Sequence, residues 1–118
     1  MQERGQRDVR KHPRRHLNEG GRIMYSGTEH HDCAVVDLSE GGAALYMSAP
    51  LRDGTRCVIA FDVDAYNRKK RINVWGEVVY TRGAGVAQGF RVGVRFTDMD
   101  PYSALLIRTF SANKPISL

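Results

Sequence analysis

Cysteine, tryptophan and long apolar runs are all scarce in this chain, and each scarcity excludes something. Its two cysteines, Cys33 and Cys57, stand in separate apolar, strand-like runs and form no close-spaced metal or redox motif. They read as reduced small hydrophobes, and disulfide staples are not expected. No stretch approaches the roughly 20 apolar residues a membrane helix needs, and the polar N-terminal segment lacks the apolar core of a secretory leader. The expectation is a cytoplasmic protein without a membrane span. No nucleophile elbow, Walker loop or carboxylate constellation is visible, so the chain is not expected to be an enzyme. His12, His16, His30 and His31 match no zinc-ligand spacing, so no metal or other cofactor is expected.

What is present suits one compact domain: 118 residues, 42% of them hydrophobic, enough to bury about two-thirds of the unfolded surface. The net charge of +5 is unevenly spread, because residues 1–16 hold six Lys or Arg against two acids. The remainder is nearly neutral. This is a basic arm on a balanced globule, and its natural partners are phosphates, anionic lipid or nucleic acid, unless it is simply solvated. The division follows: an arm at 1–16, a folded body at 17–114 and a short tail at 115–118.

Past the arm the pattern is short strands separated by turns. Strands are expected at Arg22 to Ser26, Asp32 to Val36 and Ala43 to Met47. A fourth carries Cys57, Ile59, Phe61 and Val63 on one face, and a fifth aligns Ile72, Val74, Val78 and Tyr80. A sixth alternates Phe90, Val92, Val94 and Phe96 with Arg91, Gly93 and Arg95. Asp100-Pro101 then offers an N-cap with proline at the first helical position, and Tyr102, Leu105, Leu106 and Phe110 share helical spacing. The expected fold is all-β with one C-terminal helix over about 100–113, a six-stranded antiparallel barrel, with an open sandwich as the alternative.

Two features carry chemistry. Arg10-Lys11-His12-Pro13-Arg14 reads as an extended arm, since proline disfavours a helix interior. Arginines four apart along it lie about 13 Å from each other on one side. Each guanidinium can fork onto phosphate oxygens, donate to the O6 and N7 edge of guanine or stack on a purine. Asp37-Leu38-Ser39-Glu40-Gly41-Gly42 sits between two strand-like runs, where glycines permit positive φ and Asp and Ser bond nearby backbone. An exposed Asp37 carboxylate there would accept the N1 and N2 hydrogens of guanine, with Ser39 adding a polar contact and Gly42 letting a ligand approach the backbone. Taken singly, the arm reads as solvated charge and the turn as an ordinary turn.

Together they resemble the PilZ family of cyclic di-GMP receptors, whose signature is Arg-x-x-x-Arg followed by Asp/Asn-x-Ser-x-x-Gly. Arg10 and Arg14 match the first half, and Asp37, Ser39 and Gly42 the second. The resemblance implies a barrel of this size and a ligand, cyclic di-GMP, clamped between arm and turn, with no other cofactor. Val9, just before the first arginine, supplies no further guanidinium, which within the family favours one ligand per domain. Arg7, Lys11 and Arg15 are candidates for electrostatic assistance, and Gly41 and Tyr80 for additional ligand contacts. The implied protein is a monomeric bacterial receptor that signals to an effector protein controlling motility, exopolysaccharide or biofilm. The competing readings are a PilZ-like adaptor that binds no nucleotide and a small barrel binding nucleic acid through its charged arm, although a stacking platform for bases is not obvious.

Three further stretches have plainer expectations. Arg68-Lys69-Lys70-Arg71 reads as a solvated hairpin end, and Gly83 to Gly89 as a flexible hairpin. Trp75 alternates onto the face opposite Ile72 and Val74, as either a partly exposed platform or, the expected case, packing beneath the terminal helix. Tyr80 and Arg82 reach the site only if the barrel brings their strand beside the turn.

Overall fold

The computed structural model describes residues 15–27 and 29–112. Six strands, β1 (Arg15–Met24), β2 (His30–Leu38), β3 (Gly42–Met47), β4 (Arg56–Ala65), β5 (Arg68–Gly83) and β6 (Phe90–Met99), are followed by helix α1 (Pro101–Ala112). They form a closed antiparallel barrel in the order β1-β2-β3-β6-β5-β4. The ring shuts where Gly21–Met24 of β1 pair with Phe61–Val58 of β4. The barrel is therefore closed, not an open sandwich.

Period-two alternation builds the interior: Ile23, Val35, Leu45, Ile59, Phe61, Ile72, Val74 and Val92 are fully buried. Each such side chain contributes about 1.5–3 kcal/mol of transfer free energy. Cys33 and Cys57 are buried free thiols, as expected, and burial pushes them up to about 12 and about 11.

β1 begins seven residues before the expected Arg22, at Arg15. Asn18-Glu19-Gly20-Gly21 resembles a turn locally, but cross-strand pairing carries it: Arg15 opposes Leu38, His16 opposes Asp37 and Glu19 opposes Val35. β5 likewise absorbs the whole Arg68–Arg71 run. Its charges are not merely solvated, because Lys69 lies 3.0 Å from Glu19 and 3.4 Å from Asp64, and Arg71 lies 3.0 Å from Asp62. The β4–β5 hairpin turns through Tyr66 and Asn67, both at positive φ (54° and 65°), the conformation of a two-residue primed turn whose twist suits the strands.

The helix starts as expected but buries a different face. Asp100 accepts the Ser103 amide at 2.7 Å and its hydroxyl at 3.1 Å, a cap that lowers the Asp100 pKa. Ser103, Leu106, Ile107, Phe110 and Ser111 face inward, against β4 and β5. Tyr102 and Leu105 are exposed. The two serines complete the i, i+3, i+4, i+7 stripe that apolar spacing alone assigns to those two residues. Trp75 also departs from expectation: it is 51% exposed rather than packed under the helix, because odd-numbered residues in that part of β5 point outward, away from Ile72 and Val74.

Candidate functional site

Asp37, at the end of β2, opposes His16 of β1 on one side and Ala44 of β3 on the other. Asp37 is only 5% exposed, against the exposed acceptor expected from the turn. Its Oδ2 lies 3.7 Å from Nη2 of Arg91 on β6.

The turn after it is held by its own side chains. The Ser39 Oγ accepts the Gly41 amide at 3.2 Å, and the Ser39 amide donates to the Gly42 carbonyl at 2.9 Å. The Gly41 carbonyl accepts the Phe96 amide at 2.9 Å, tying the turn to β6. Neither Gly41 nor Gly42 has a positive φ. Gly42 is needed for a different reason: a Cβ there would run into the Val94 carbonyl. The glycine thus serves the β3–β6 approach directly, where the sequence suggests access for a ligand.

Tyr80 arrives at this face through a bulge. Val78 opposes Val94, but Tyr80 opposes Gly93, so Val79 is an extra residue and the alternation flips. Tyr80 therefore does not share the inward face of Ile72, Val74 and Val78. Its ring lies across Gly93, where a Cβ would overlap the ring carbons. The Tyr80 hydroxyl accepts Nε–H of Arg91 at 3.1 Å, and the Arg82 guanidinium stands 4.9 Å above the Tyr80 ring. The Arg91 guanidinium also sits 5.8 Å from the centroid of Tyr46, its direct neighbour on β3. Four strands thus present one outer surface built from Asp37, Tyr46, Arg91, Tyr80 and Arg82. Alternation in the sequence marks Arg91 as outward facing but cannot pair it with Asp37, since β2 and β6 are not consecutive and meet only through β3.

A cleft of about 660 Å³ continues from this surface, with Tyr46 in its wall and Asp32, Cys33, Ser48 and the Val86–Gly89 end of the β5–β6 hairpin around it. That hairpin is braced, not merely flexible: the Ala84 amide donates to the Gly89 carbonyl and the Gly89 amide to the Gly85 carbonyl, each at 2.9 Å.

Arg15 faces the helix. Its guanidinium stacks 4.3 Å above the Phe110 ring and Nη1 donates to the Phe110 carbonyl at 2.9 Å. Arg7, Arg10 and Arg14, with Val9 and Lys11, lie outside the described residues. Among the described residues no cluster of three His, Cys, Asp or Glu has metal-binding geometry, and no helix is long and apolar enough to cross a membrane.

The family model for the PilZ domain matches residues 8–113. This chain belongs to the PilZ domain family. The match takes in both halves of the signature, from the Arg10 segment through the Asp37 turn. Solved PilZ structures share the barrel. The PilZ domain of Escherichia coli YcgR with c-di-GMP superposes with a TM-score of 0.69 at 13% identity, covering 88% of this chain and 89% of that one. The Bacillus subtilis inhibitor of motility MotI/DgrA gives 0.74 at 12% identity over 86% of this chain and 49% of that one. The Borreliella burgdorferi PlzA protein in complex with c-di-GMP gives 0.58 at 22% identity over 91% and 42%. The chain thus spans about half the length or less of two of these three structures. A comparison with curated protein sequences finds no match.

Proposed function

We propose that this PilZ domain is a cytoplasmic bacterial receptor for cyclic di-GMP, not an enzyme, in which Arg10 and Arg14 grip phosphates and guanine faces while the Asp37 turn reads a guanine edge. The observation that carries the reading is the register of β1. Arg15 opposes Leu38 and His16 opposes Asp37, so β1 begins directly beside the turn, one residue after Arg14 in sequence. Arg10 stands five residues before Arg15, within about 17 Å of extended chain. This register supports a divided site whose two halves lie within reach of each other, and c-di-GMP in the PilZ structures of YcgR and PlzA supports the choice of ligand.

The output follows from what the site touches. Arg15, next to the arm, is tied to Phe110, and Glu40, inside the turn, lies 3.5 Å from Arg108. The turn and the first residue of β1 thus both contact α1. Binding orders the arm, and the change in arm and helix surface is what an effector protein reads. Motility, exopolysaccharide synthesis and biofilm formation are the candidate outputs.

Calorimetric titration with cyclic di-GMP tests the reading, with one ligand per chain expected from Val9. Arg14→Ala and Asp37→Ala should each lower affinity at least about tenfold, since each removes a charge-assisted contact, with unchanged circular dichroism. Wild-type binding no tighter than that of GTP, or binding that collapses with salt in the manner of a polyanion, would defeat the proposal. Amide exchange over residues 4–16 with and without ligand checks the ordering step, and equal exchange despite binding would reject it.

A further inference from the structure

We propose that Arg91 is a specificity-determining residue of this surface: it aims the Asp37 carboxylate at guanine, so that discrimination between bases depends on a side chain outside the Arg-x-x-x-Arg and Asp-x-Ser-x-x-Gly segments. The inference rests on the cyclic di-GMP reading and extends it.

The geometry is a relay of restraints. Gly93 gives the Tyr80 ring its seat, and the Tyr80 hydroxyl accepts Nε–H of Arg91 at 3.1 Å. The Tyr46 ring stands 5.8 Å from the same guanidinium. A planar cation restrained from two sides keeps its orientation, which a flexible ammonium would not. Its Nη2 then faces Asp37 Oδ2 at 3.7 Å, within ion-pair range but beyond hydrogen-bonding distance. Arg91 therefore acts on Asp37 through charge rather than through a hydrogen bond of its own to Oδ2.

Burial makes the steering effective. The side chains of Arg91 and Asp37 are 25% and 8% exposed, so the pair is far less screened than a surface ion pair. A guanine edge offers two parallel donors, N1–H and N2–H, to a carboxylate fork, and such a two-point contact is lost when the fork rotates. A site built on hydrogen bonds to a particular edge rejects ligands lacking one of those donors far more strongly than an apolar pocket does.

The test compares cyclic di-GMP with cyclic di-inosine monophosphate, which lacks only the exocyclic N2 amine, by calorimetry on the full chain. Wild type should prefer the guanine ligand by about tenfold or more, the worth of one charge-assisted hydrogen bond. Arg91→Ala should bring the two affinities within about threefold, mainly by weakening the guanine ligand. Arg91→Lys should fall between, because it keeps charge but not the fork. Tyr80→Phe, which removes one hydroxyl, should shift the ratio the same way by a smaller factor and carries the test if Arg91→Ala does not fold. In an Asp37→Asn background Arg91→Ala should leave the ratio unchanged. Equal weakening of both ligands, with the ratio preserved, would overturn the inference and make Arg91 a phosphate contact or a packing residue. If wild type binds neither ligand, the receptor reading itself fails. If wild type discriminates and every variant keeps the same ratio, only the assignment of Arg91 fails.

Discussion

Tyr80 and Trp75 occupy the same strand, point to the same outside surface and each adjoin a register shift in the β5–β6 pairing, yet they live in different surroundings. Tyr80 lies on Gly93, is bonded by Arg91 and is covered by Arg82. Trp75 is half exposed above two shallow clefts, sharing Arg56 with both and Asp98 with one. The larger, more hydrophobic ring is thus the less restrained one. An aromatic on a barrel surface is held in one plane when glycine lies beneath it and cations stand beside it. Size and exposure alone do not achieve this.

The contrast breaks most sharply at Gly93. Gly93→Ala puts a methyl where the Tyr80 ring lies, so the ring must swing away and Arg91 loses its hydroxyl acceptor. We expect roughly tenfold weaker cyclic di-GMP binding by calorimetry, with destabilisation of about 1–3 kcal/mol in urea titrations, the usual cost of overpacking. Unchanged affinity would mean that the seat of Tyr80 does not matter to the ligand.

The two thiols give a milder comparison, since Cys33 lines the Tyr46 cleft and Cys57 the cleft under Trp75. Burial raises Cys33 to about 12 and Cys57 to about 11 from 9.0, with nearby Asp32 adding to the effect on Cys33. A raised folded-state pKa means stability that is complete below about pH 9 and is lost as pH climbs through 11 to 12. Denaturation at a series of alkaline pH values should therefore show a decline that Cys33→Ala flattens more than Cys57→Ala does. Parallel curves for wild type and both variants would remove the thiols from the account.

Trp75→Ala should have the smallest effect: stability within about 0.5 kcal/mol, as at ordinary surface positions, and cyclic di-GMP affinity within about twofold. Trp75 is the single tryptophan of the chain, so its fluorescence should hardly respond to ligand. A strong response, or a tenfold loss of affinity, would place the ligand over Trp75 and erase the distinction drawn between the two rings.

Much of the barrel was legible in the sequence because period-two alternation is a local signal, cleanest in β6, where Val92 and Val94 interleave with Arg91 and Gly93. What escaped was whatever depends on a partner strand. The bulge at Val79 turns Tyr80 outward, and no residue of β5 announces it. By local pattern β1 starts at Arg22, because Gly20-Gly21 looks like a turn until β2 and β4 pair with it. Ser39 bonds nearby backbone, as a serine in such a turn does, but the steric need for Gly42 is revealed only by the nearness of Val94. Arg91 was visible as an outward cation, and its tie to Asp37 required knowing that β3 inserts between β2 and β6.

The strand order has a consequence for the life of the chain. β3 is joined to β6 across the whole β4–β5 hairpin, Gly42 to Arg95 and Met47 to Phe90, so the surface holding Asp37, Tyr46, Arg91 and Tyr80 is assembled by the least local pairing in the barrel, the kind that forms slowly. Partly folded chains do not possess it. Whatever this surface binds therefore engages only the completed barrel, and by mass action a ligand at a hundred times its dissociation constant would add about 2.7 kcal/mol to folding. On the proposed reading, resistance to proteolysis should then rise with the concentration of cyclic di-GMP.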